Sequence, residues 1–179
     1  MPRVVVLGLG NVLCGDDGVG VAAIHAFLRE HRAPSGVHIV DGGTLGMGLI
    51  DLLDSETTLV LVDAVAADAP PGTLVRFEGH EIGEAVATRL SPHQFGVADL
   101  LGVARLLSCY PAEVVLLGIV PQAIRLGLGL TPPVAESLPA LAGAIASELA
   151  RLGYPLVPRE VDDANPEGSR VDVARALGL

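Results

Sequence analysis

Residues 4–23 read VVVLGLGNVLCGDDGVGVAA, and this stretch decides the fold class. The run RVVVLGLG over 3–10 is continuously apolar and ends in glycine. It predicts a strand buried on both faces of a parallel sheet, since such strands lose the polar alternation of a half-exposed one. Val21, Ile24 and Leu28, with Phe27 beside them, recur at helical spacing between Gly18 and His31, and APSG over 33–36 breaks the pattern. The unit is strand, loop, helix.

Working outward, VHIVD (37–41) repeats the strand and precedes an expected helix carrying Leu45, Leu49, Leu52 and Leu53. TLVLVDAV (58–65) and EVVLLGIV (113–120) are two further buried strands. PPGTLVRF (70–77) follows its predecessor too closely for a helical crossover, so it predicts an antiparallel strand at an edge. SPHQFGVADLLGVARLL (91–107) has Ser91 and Gln94 at capping-box spacing with Pro92 at the first helical position, which places His93 in a first turn. Residues 131–153 form a long amphipathic helix, capped by Thr131 and closed by Gly153. The fold expected is a three-layer α/β/α sandwich around a mostly parallel, twisted sheet of about five strands with one antiparallel edge strand. One domain over 1–158 is expected, followed by a charged tail over 159–179 whose composition predicts mobility.

Composition narrows the function. A net charge of −10 with 11 Lys and Arg argues against a nucleic-acid surface. No apolar run reaches the roughly 18 residues of a membrane span and no leader pattern opens the chain, so a cytoplasmic protein without a membrane partner is expected. Cys14 and Cys109 are too few for a disulfide framework or a Cys-rich zinc site.

The loop after the first strand imitates two nucleotide motifs and fits neither. A dinucleotide fingerprint needs a third glycine where Leu13 stands, and a phosphate loop with Gly10 and Gly15 in place would need lysine and a hydroxyl residue at Asp16 and Asp17. A helix N-terminus favours anions, so two carboxylates there occupy the site themselves and repel phosphate. A single Asp in this position is explained by helix capping, but only one of two can be the cap. Asp41 ends the second strand. Asp63 interrupts the apolar LVLVDAV, where a carboxylate is costly unless paired, hydrogen-bonded or metal-bound. His93 in a first turn is kept neutral by the helix dipole and so available to coordinate. Asp17, Asp63 and His93 together offer two oxygens and a nitrogen, a set suited to a first-row transition metal. His25, His31, His38 and His80 read as ordinary surface or helix residues. No H-E-x-x-H helix or G-x-S-x-G elbow is present. Cys14 is flanked by Leu13, Gly15 and two aspartates, a setting that argues against a thiolate nucleophile there.

GLGNVLCGDDGVG, DGGTLGM, LVDAV, SPHQFGVADLL and GIVPQAIRLGLGLTPPV, taken in order, resemble the hydrogenase maturation endopeptidases over residues 3–158. The resemblance implies a cytoplasmic peptidase that removes the C-terminal extension of a nickel-iron hydrogenase large-subunit precursor, cutting after the His or Arg that closes the nickel-binding motif. It implies nickel supplied by the substrate and no organic cofactor. It carries metal contact onto Asp17, Asp63 and His93, and two routes stay open: nickel held by the three polarises the scissile carbonyl or activates a water, or it only positions the precursor while Asp17 or Asp63 serves as the catalytic general base. Gly10, Asn11, Asp16, Asp41, Gly42 and Gly43 are the residues expected to touch substrate. Many relatives have glutamate where Asp17 stands, so this arm is one methylene shorter. The competing reading is a non-catalytic nickel- or nucleotide-binding module of the same fold.

Overall fold

The computed structural model describes residues 3–83 and 96–159. In chain order the elements are β1 (Val4–Leu9), α1 (Val19–Glu30), β2 (His31–Arg32), β3 (Val37–Gly43), β4 (Thr58–Ala64), β5 (Leu74–Glu78), α2 (Val97–Leu106), β6 (Glu113–Ile119), α3 (Pro132–Arg151) and β7 (Val157–Pro158). Five strands make one sheet in the order β3-β1-β4-β6-β5, with β3, β1, β4 and β6 parallel and β5 antiparallel at the edge. The α/β expectation and its antiparallel edge strand are both met.

The continuous apolar runs of β1 and β4 are explained by which core each residue enters. Val4, Val6, Val60 and Val62 pack with Ile24 and Phe27 of α1 and Leu141, Ile145 and Leu149 of α3. Val5, Leu7, Leu59 and Leu61 face the other way, onto Leu49, Leu52, Leu100 and Leu101. Strand side chains alternate between faces, so two covered faces favour apolar residues at successive positions. Among the described residues β5 pairs only with β6. Arg76 ties it to α3, donating to buried Glu148 at 3.1 and 3.3 Å.

Three expectations need correction. The segment after β3 is a short 3-10 helix over Gly46–Leu52, not an α-helix through Leu53. Its buried residues Leu49 and Leu52 are three apart, the 3-10 period, while Leu45 is exposed and Leu53 is extended. α2 begins at Val97, and extended Gly96 at its N-cap, whose N–H is accepted by Asp99, separates it from the start expected at Ser91. Ser91, Pro92, His93 and Gln94 lie outside the described residues. Thr131 does occupy the N-cap of α3, but its side chain makes no capping bond. The other end of α3 behaves as expected. Gly153, at φ 85°, lets the Gly153 and Tyr154 N–H groups reach back to Ala150 and Leu149.

β2 and β7 form a small antiparallel pair that no periodicity announced. Just beyond it, the Arg159 N–H and guanidinium donate to Glu30 and Leu28 at the end of α1. A chain ending at Arg159 keeps both bonds. We expect it to melt within about 2 °C of the full chain, the scale of a surface change. A larger fall in a thermal scan would show that residues 160–179 pack on the domain.

Candidate active site

The strand order reverses at β1. The chain leaves β1 through α1 to β3 on one side, then crosses back to β4 on the other. The carboxyl ends of β1 and β4 therefore frame the crevice where open α/β sheets take ligands. Both expected carboxylates are there. Asp63 lies on β4 opposite Gly118, fully buried, and its Oδ1 accepts the Ala64 N–H at 2.8 Å. Asp17 is half-buried on the loop after β1, in a single 3-10 turn over Asp16–Gly18 that packs against β4.

Gly10 makes this loop possible. Its φ is 111°, and a Cβ there would stand 1.7 Å from the Asp17 carbonyl oxygen, so no other residue lets the chain fold back so closely. The fold-back brings the Asn11 N–H to Asp17 Oδ2 at 2.7 Å, while Asn11 Oδ1 accepts the Leu13 N–H at 3.0 Å. The Gly10 N–H in turn donates to Gly43. Neither aspartate caps α1, whose N-cap is Gly18 with no side-chain bond.

The residues expected to touch substrate divide in two. Gly10, Asn11, Asp41 and Gly43 are partly exposed around the strand ends. Gly42 is buried against Leu9 and Leu49. Asp16 is fully buried, leaving no surface for a substrate contact. Its Oδ1 accepts the Thr131 N–H at 2.7 Å, and its Oδ2 accepts the Gln122 and Ala123 N–H groups at 2.9 Å and the Thr131 hydroxyl at 2.8 Å. Burial alone would push the Asp16 carboxyl up, but the bonds from Thr131, Ala123 and Gln122 outweigh it and hold the group below its ordinary value of 3.8. Asp16 therefore clamps the loop after β6 onto the loop after β1. This explains the missing cap on α3, since the Thr131 hydroxyl is spent on Asp16.

Among the described residues, no three His, Cys, Asp or Glu side chains stand together as a metal-holding group. His93, the third member of the expected set, lies outside those residues.

A family model described as hydrogenase maturation protease matches residues 21–148. Hydrogenase 2 maturation protease of Escherichia coli is 34% identical over 160 residues, which are 88% of this chain and 97% of that one. The chain belongs to the hydrogenase maturation proteases. Being a maturation protease, it is a peptidase, and the reading as a non-catalytic binding module is set aside. The hydrogenase expression/formation protein HupM of Azotobacter chroococcum is 38% identical over 164 residues, 90% of this chain and 78% of its own. The solved structure of the maturating endopeptidase HybD from E. coli superposes with a TM-score of 0.81 at 32% identity, covering 88% of this chain and 98% of that one.

Sequence reasoning about this maturation protease missed two features. One is the Asp16 clamp, whose partners lie 106 to 115 residues away. The DD pair was the available signal, because one carboxylate had to do something other than cap. The other is His25, read as an ordinary residue. α1 brings its Nε2 to 3.3 Å from Asp41 Oδ2, so one of the expected substrate contacts is already held by a helix side chain. The 16-residue separation carries no local pattern that would reveal it.

Proposed function

We propose that this maturation protease removes the C-terminal extension of a nickel-iron hydrogenase large-subunit precursor after nickel insertion, recognising the substrate's nickel through Asp17, Asp63 and His93. The observation that carries the proposal is the placement of buried Asp63 near the end of β4 and of Asp17 in the turn after β1 that packs against β4, beside the crevice where open α/β sheets take ligands. Two carboxylates and an imidazole, without thiolates, suit a transition metal that arrives with open positions and leaves again.

In this reading the substrate's nickel fixes the precursor so that its scissile carbonyl meets a water beside the carboxylates. One carboxylate takes a proton as the water oxygen bonds to the carbonyl carbon. The same proton then passes to the departing amide nitrogen as the C–N bond breaks. Asp17 is suited to meet water because it is partly exposed and, among the described residues, held by one backbone donor, the Asn11 N–H. Asp63, buried on a central strand, is suited to hold position.

The reading is tested by supplying purified precursor with and without nickel and following the large-subunit mass. Enzyme treated with chelator is expected to cut the nickel-loaded form and leave the nickel-free form whole at any enzyme concentration. His93→Ala should abolish cleavage of the loaded form. Efficient cutting of nickel-free precursor would replace nickel recognition with a plain carboxylate-dependent peptidase.

A further inference from the structure

The crevice has an apolar lip that the catalytic reading does not use. Among the described residues ten large hydrophobic side chains are exposed, and half of them, Val12, Leu13, Ile124, Leu126 and Leu128, sit on the two loops beside Asp17. Leu126 and Leu128 are 86% and 83% exposed. Among the described residues, a Cβ added at Gly127 or Gly129, between and after them, would meet no atom within 4 Å, so no described residue crowds the loop there. Exposed apolar residues gathered in one place mark an interaction surface, whereas scattered single ones do not.

The lip is also held in shape. The Gly15 N–H donates to Gly127, the Gly127 N–H to Leu13, and the Asp16 N–H to Ala123. The Asp16 carboxylate pins Gln122 and Ala123 at one end of the loop and Thr131 at the other. A loop fixed before binding loses little freedom on binding.

We propose that the lip formed by Val12, Leu13, Ile124, Leu126 and Leu128 is the docking surface for an apolar stretch of the precursor polypeptide next to its scissile bond. The occupant follows from continuity. The segment that carries Val12 and Leu13 also carries Asn11 and Asp17, so whatever seats on the lip lies against the crevice. A second copy of this chain there would cover the crevice a protein substrate must enter. Arg125 is the only charged residue from 121 to 131, so the acidic character of the chain does not extend over this loop. The inference rests on the proposed function only in taking the precursor as the partner.

The test is the double variant Leu126→Ser/Leu128→Ser, with Leu126→Met/Leu128→Met as the conservative control, assayed on the precursor the parent enzyme processes. Both positions are exposed, so the thermal midpoint should be unchanged. The serine variant should raise KM about tenfold or more while kcat stays within about twofold, the signature of lost binding shared by ground and transition states. The methionine variant should keep the parent KM. A serine variant with parent KM overturns the proposal, as does a parent that sediments as a dimer which the serine variant dissolves without changing KM. Failure of nickel recognition is distinguishable, because it appears as cutting of nickel-free precursor by the parent, on which the same KM comparison can be made.

Discussion

Asp63→Asn is expected to lower precursor cleavage by about 10²–10⁴-fold, the range for loss of a positioned proton-transfer group, while leaving the fold intact. The asparagine side chain has the size of the original, and its amide oxygen can still accept the Ala64 N–H that now bonds to Oδ1. What is lost is the charge and the basicity. A neutral amide is less costly to bury on β4 than a carboxylate, so the variant should fold. The measurement is the single-turnover rate on nickel-loaded precursor alongside a thermal scan. Cleavage at the parent rate by a folded variant would remove Asp63 from the site.

The largest effect on stability is expected at Asp16. Asp16→Ala would strip the acceptor from three backbone N–H groups and the Thr131 hydroxyl. These bonds are part-buried, and donors left without partners cost up to about 1–3 kcal/mol each before water relieves some of them. A net loss of about 3–5 kcal/mol follows, which lowers the melting temperature by roughly 10 °C or more in a domain of this size. The pH dependence has a defined sign. The folded-state carboxyl of Asp16 lies below its ordinary value of 3.8, so its contribution is complete above that value and is lost as pH falls below it toward the folded-state pKa. Asp16→Asn should therefore show a shallower loss of stability below about pH 4 than the parent does. Equal acid slopes, measured by denaturant unfolding across that range, would show that Asp16 does not carry this ionisation.

These two aspartates are adjacent to the same crevice and have opposite fates, and only one fate was legible in the sequence. Asp63 stood out because a carboxylate inside LVLVDAV needs a reason. The strands, the helix after β1 and the antiparallel edge were legible for a similar cause: burial on two faces disfavours polar residues, and a helix of 12 residues repeats its apolar side. GLGNVLCGDDGVG, DGGT and SPHQ carried the family, since their order along the chain is specific even where each is short.

The sequence by itself determined the fold class, the family and the strand-end location of Asp17 and Asp63, because these follow from local period and chain order. The tertiary structure alone decided what Asp16 does. Its partners Gln122, Ala123 and Thr131 are more than 100 residues distant, and backbone N–H groups leave no mark on composition. It also decided that Thr131 does not cap α3, that His25 meets Asp41, and that the segment after β3 winds as a 3-10 helix. For Asp16, Thr131 and His25 the deciding partner is distant in the chain and only the packing around the sheet brings it close, while the 3-10 segment follows from which leucines the core takes up.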